Sequence, residues 1–104
     1  MAKYLLAYHG GGMPANEEQQ ARVLAAWGQW FQALGEALVD GGNPVGRAST
    51  IDDGTVTDGG GANPVTGYSI VQADGLDAAV SLAKGCPLLE TGGRIEVCET
   101  FDAM

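Results

Sequence analysis

The chain has 104 residues, which suits one domain (1–104) with its own core. Thirteen acidic side chains against five Lys and Arg give a formal net charge of −8, so nucleic acid and anionic membrane are poor partners. Seventeen glycines imply many turns. No apolar run approaches a membrane span, and no basic region precedes a long apolar stretch as in a signal peptide. The two cysteines, Cys86 and Cys98, form no CxxC and read as buried free thiols in a reducing compartment, which makes the expected location cytoplasmic.

Taken in order, Lys3 to Tyr8 reads as a strand that is apolar on nearly every position, hence buried on both faces. His9-Gly10-Gly11-Gly12-Met13-Pro14 is a loop by composition, expected as a flexible turn after an edge of the sheet. The dominant segment is Asn16 to Leu38. Val23, Leu24, Trp27, Trp30, Phe31, Leu34 and Leu38 recur at steps of three, four and seven, one face of an α-helix. Asn16 is the expected N-cap, with Gln19 three residues on to complete a capping box. Glu17 and Glu18 suit the positive end of the helix dipole, and Gly35 weakens the last turn. Ala37 to Asp40 either continues the helix or opens a short strand.

Arg47–Ile51 and Thr55–Thr57 flank Asp52-Asp53-Gly54, a hairpin signal because the turn wants positive φ. Asp58 to Pro64 is a second loop. Val65 to Ala73 is the next strand. Asp74 is expected to cap a second helix running to about Lys84, with Leu76, Val80 and Ala83 inward, Gly85 at C′ and Pro87 following. Arg94 to Phe101 closes the chain as a strand, with Ile95, Val97 and Phe101 on one face. The order is β-α-β, a hairpin, then β-α-β. That pattern predicts an α+β fold of ferredoxin-like type, an antiparallel sheet with both helices on one face and an inserted hairpin. Two helices cover only one face of such a sheet, so a second copy is expected on the other, making a homodimer.

The candidate chemistry is sparse. His9-Gly10-Gly11-Gly12 is similar to an esterase oxyanion loop, but GxSxG is absent and no Lys-Ser or Lys-Thr follows for a phosphate loop. His9 is the one histidine and the one candidate general base, expected as an exposed loop residue with no sequence-local carboxylate. With two distant cysteines it makes no metal set, and neither metal nor cofactor is expected. Trp27 lies mid-stripe as a core residue. Trp30 lies toward its margin and is the better placed to reach a cleft or interface. Asp58 before its glycines either holds a ligand or caps a turn. The candidate ligand-binding residues are therefore His9, Trp30 and Asp58.

Tyr4-Leu5-Leu6, Gly42-Asn43-Pro44, Thr57-Asp58-Gly59, Gly67-Tyr68-Ser69-Ile70-Val71, Leu76-Asp77-Ala78-Ala79, Cys86-Pro87 and Gly93-Arg94-Ile95-Glu96-Val97 occur in this order. Together they resemble YCII-related proteins of the DGPF type from end to end. The resemblance implies a ferredoxin-like fold that dimerises as an α+β barrel, in a superfamily that includes muconolactone isomerase, small monooxygenases and haem-binding chlorite dismutases. It implies no established activity. The naming motif Asp-Gly-Pro-Phe survives only as Asp58-Gly59. The His-Asp pair proposed for some relatives is missing, since the long helix has no histidine and Cys86 stands before Pro87. Three readings follow: a dimer binding a small organic molecule in a cleft, a non-catalytic protein-interaction module, and a cofactor-free isomerase or monooxygenase of the barrel type.

Overall fold

A computed structural model describes residues 1–102. It shows an α+β fold with two helices and an antiparallel sheet. Strand β1 (Ala2–His9) leads to helix α1 (Glu17–Leu34), a 3-10 turn (Gly35–Ala37) and the short strand β2 (Leu38–Asp40). A hairpin of β3 (Ser49–Asp52) and β4 (Thr55–Asp58) follows, then β5 (Val65–Ala73), helix α2 (Leu76–Ala83), a 3-10 turn (Pro87–Thr91) and β6 (Arg94–Glu99). The main sheet runs β2-β5-β1-β6. With the hairpin set aside, the first and third strands are central and the last is an edge, an order compatible with a ferredoxin-like sandwich.

Register decides which side chains meet the helices. Leu6 stands opposite Ser69 and Val97, and Leu5 opposite Ile70 and Cys98. Successive residues of a strand alternate faces, so Tyr4, Leu6 and Tyr8 share one face with Ser69, Val71, Ile95 and Val97. Both helices pack there: Trp30 and Leu34 of α1 and Ala79 and Ala83 of α2 join Tyr4, Leu6, Tyr8 and Val71 in one buried cluster. Lys3, Leu5, Ala7, His9, Tyr68, Ile70 and Cys98 lie on the other face, which no helix among the described residues covers.

The start of α1 follows its local chemistry. The Asn16 side chain accepts from the Gln19 N–H at 2.9 Å. Gln19 Oε1 accepts from the Ala15 N–H at 2.9 Å, one residue before the N-cap, so the reciprocal box is displaced by one. The helix stops sooner than its apolar spacing suggests. Gly35 takes φ 54° and closes it, and Leu38 belongs to a strand.

Several expectations need correction. Helix α2 is capped by the backbone of Gly75, not by Asp74, and no side chain caps it. Its buried residues are Ala79 and Ala83, while Leu76 is exposed. Small side chains let the helix lie close to the sheet, and that requirement outweighs the pull on the larger Leu76. Strand β6 ends at Glu99, so Phe101 is not on its face and is exposed. There the Thr100 N–H and hydroxyl both donate to the Lys3 carbonyl, which ends the ladder. The Gly10-Gly11-Gly12 loop follows a central strand, not an edge, and is fitted rather than loose: the Gly12 N–H donates to Thr91 O at 3.0 Å.

Candidate functional site

The structure opens an apolar cleft of about 300 Å³ between the middle of α1 and the sheet. Val23, Leu24, Trp27 and Phe31 of α1 form its roof, Tyr8 and Gly67 its floor, and Gly41 to Pro44 its far wall. Leu88 closes the near end. No lining residue is charged.

Each wall has a local cause. Glycine at 67 keeps the floor open, because a Cβ there would come within 3.2 Å of the Tyr8 ring and 3.3 Å of the Asn43 carbonyl. Gly42 has φ 70°, and a Cβ on it would overlap the Tyr68 carbonyl oxygen, so the wall lies against β5 only with glycine there. Leu88 reaches the cleft because Gly11 and Gly93 leave room for its side chain. Trp27 is the hub of the roof. Its ring stands edge-on to Tyr8 at 5.3 Å and to Phe31 and Trp30 at 5.7 Å each.

Beneath the cleft floor runs a short polar relay. The Tyr8 hydroxyl donates to Ser69 Oγ at 2.7 Å, and Ser69 Oγ donates to the Gly41 carbonyl at 2.7 Å. Burial pushes the Cys86 thiol up to about 11 from an ordinary value of 9.0. Burial likewise holds the Tyr8 phenol above its usual range, with Cys86 a smaller contributor. Both groups keep their protons at neutral pH. The relay is therefore a satisfied structural network and presents no anion to the cleft.

His9, Trp30 and Asp58 do not come together. His9 is the last residue of β1, on the open sheet face, and is 6% exposed rather than a surface loop residue. Its Nδ1 donates to the Asn63 and Pro64 carbonyls at 3.1 and 3.2 Å, and its Nε2 lies 3.1 Å from Glu96 Oε1. The carboxylate it finds is Glu96 on β6, brought beside it only by the β1–β6 pairing. Nδ1 ties the ring to the Asn63–Pro64 loop, while Nε2 donates to the exposed Glu96 carboxylate only in the protonated ring. Trp30 is 7% exposed, with its indole N–H donating to Leu82 O at 3.1 Å. It anchors α1 to α2, and Trp27 is the tryptophan that faces the cleft. The expected roles are reversed because the helix stripe is rotated: Trp30 and Leu34 point straight down, while Leu24 is 64% exposed at the cleft mouth. Asp58 ends β4 on the exposed hairpin.

Sequence reading missed Tyr8, Ser69 and Gly67. Gly67 carried the one available signal, a glycine inside a strand, which marks a bulge or a close approach. Tyr8 and Ser69 are sixty-one positions apart, and only the β1–β5 register brings them into contact. Among the described residues no three His, Cys, Asp or Glu side chains converge as a metal set. No helix among them is long and apolar enough to cross a membrane. No protein-family profile and no curated protein matches the chain.

Proposed function

We propose that this protein binds a small, uncharged organic molecule with an aromatic or alicyclic ring in the cleft under α1, and that it does so as a homodimer. The observation that carries this reading is the cleft itself. Its volume of about 300 Å³ lies at the low end for small-molecule sites. Its roof is aromatic, and it offers no charged side chain to replace the hydration of an ionic ligand. The protonated Tyr8–Ser69 relay, and the position of His9 outside the cleft lining, favour holding a molecule over acid–base turnover. The resemblance to YCII-related proteins of the DGPF type supports the same reading, and with the strand order it supports closure of two open sheet faces into a dimeric α+β barrel.

The test is titration with N-phenyl-1-naphthylamine, a neutral apolar fluorophore, with native mass spectrometry for a co-purified molecule. Saturable binding at one site per chain, lost in Val23→Phe, which fills the roof, is the expected result. Absence of saturable binding by the wild-type protein would overturn the reading.

A further inference from the structure

The β3–β4 hairpin stands apart from the body of the chain. Its strands pair Ile51 with Val56 and Thr50 with Thr57, and among the described residues neither packs extensively against another element. The molecule measures 43 × 42 × 18 Å with a radius of gyration of 15.0 Å. A compact domain of this length has about 13 Å. One face of the hairpin carries the Ile51–Val56 pair, 74% and 64% exposed, next to the Ser49–Asp58 pair at its base. A lone two-stranded hairpin is marginal in water and needs a surface to pack on.

Among the described residues, the sheet face away from the helices is an uncovered surface of matching character. The open sheet face is apolar at Leu5, Ala7, Tyr68 and Ile70, and it carries Lys3 and Arg94, two of the chain's five basic residues. Asp40 and Glu96 lie on the same face, so its balance is even in a chain of net charge −8. The hairpin is acidic, with Asp52 and Asp53 at its tip and Asp58 at its base. Its base is also fixed on the open-face side: Asn63 accepts from Arg94 at 2.6 Å through its side chain and from His9 at 3.1 Å through its carbonyl.

We infer that the hairpin is an arm that clasps a second copy of this chain, laying Ile51 and Val56 on the margin of the partner's open sheet face with Asp58, which shares their hairpin face, toward its Lys3. In a two-fold dimer each copy gives one arm and receives one, so both unpaired surfaces are covered by a single symmetric contact. The inference rests on the homodimer proposed above and adds the element that holds it.

Sedimentation equilibrium over a concentration series tests it with four proteins: wild type, Ile51→Ser/Val56→Ser, Asp58→Lys and Asp58→Lys/Lys3→Glu. The substituted side chains are exposed and lie away from the core, and circular dichroism checks that each variant keeps the fold. The serine variant should raise the dimer dissociation constant by about tenfold or more, the scale set by burial of two aliphatic side chains. The charge reversal should also weaken the dimer, and adding Lys3→Glu should restore part of the loss. A wild-type dimer with both arm variants at unchanged affinity would overturn the arm while leaving the dimer standing. A wild-type monomer throughout the series would overturn the arm and the dimer together.

Discussion

Gly42 and the Tyr8–Cys86 pair show how single residues hold this fold. Gly42 combines a left-handed backbone with contact against the Tyr68 carbonyl. Strain at such a φ costs roughly 1–3 kcal/mol for other residues, and steric overlap adds to it. Gly42→Ala should therefore lose more than about 2 kcal/mol in urea unfolding; a midpoint near wild type would show that the wall can move away from β5. The buried relay predicts an alkaline limit. The native state holds the Cys86 and Tyr8 protons to higher pH than the unfolded chain does. Above the ordinary thiol value the unfolded chain therefore binds fewer protons, and stability falls as pH rises. The contribution is fully present below pH 9.0 and falls through the Cys86 window up to about 11, with Tyr8 extending the decline beyond it. Unfolding midpoints near about pH 8 and about pH 10.5 should show the drop, and Cys86→Ala should flatten its first part. An equal slope in that variant would place the alkaline transition elsewhere. Little of this was legible in the sequence. Gly42 reads there as an ordinary turn residue, because the carbonyl that requires it comes from twenty-six positions away.

At the scale of elements, local signals did more. Asn16, Gln19 and the two glutamates mark the start of α1 through contacts within five residues, and Asp53-Gly54 marks the hairpin through its own φ angles of 47° and 83°. These devices need nothing distant, so sequence reading reaches them. The rotation of α1 about its axis depends on where α2 stands, which no local pattern contains. Trp30 therefore became the anchor and Trp27 the cleft wall. The energetic consequence is testable. Trp30→Ala removes a buried ring and its bond to Leu82, and should cost about 3–5 kcal/mol. Trp27→Ala removes a half-buried ring and should cost less, while enlarging the cleft and weakening binding of the apolar probe. Two variants of equal stability, or Trp27→Ala the less stable, would return Trp27 to the core and remove the roof of the proposed site.

For the whole molecule the decisive feature is that one layer is missing. Among the described residues the sheet has helices on one face and none on the other, and the uncovered face presents half-buried Leu5, Tyr68 and Ile70, with Ala7 itself buried. The alternation of β1 announced this from sequence, since a strand apolar on both sides needs cover on both. Which chain supplies the cover is a question of symmetry, and an identical copy presents the same area and the same pattern. A stable pairing should bury more than about 1,000 Å² in total, which a sheet face of this width provides only if its centre is in contact. Leu5 sits at that centre, opposite Ile70 on one side and Cys98 on the other. In the proposed dimer Leu5→Asp would put a carboxylate where the two sheets meet, and it leaves that carboxylate in water in the single chain. It should therefore abolish the dimer and keep the helix content, because nothing of the helix-side core is touched. Size-exclusion chromatography with light scattering, at about 50 µM and at tenfold dilution, separates the outcomes by mass. A wild-type dimer and a folded Leu5→Asp monomer place the interface on the open face. A Leu5→Asp protein that stays dimeric would move the interface elsewhere and leave the sheet face to a different occupant.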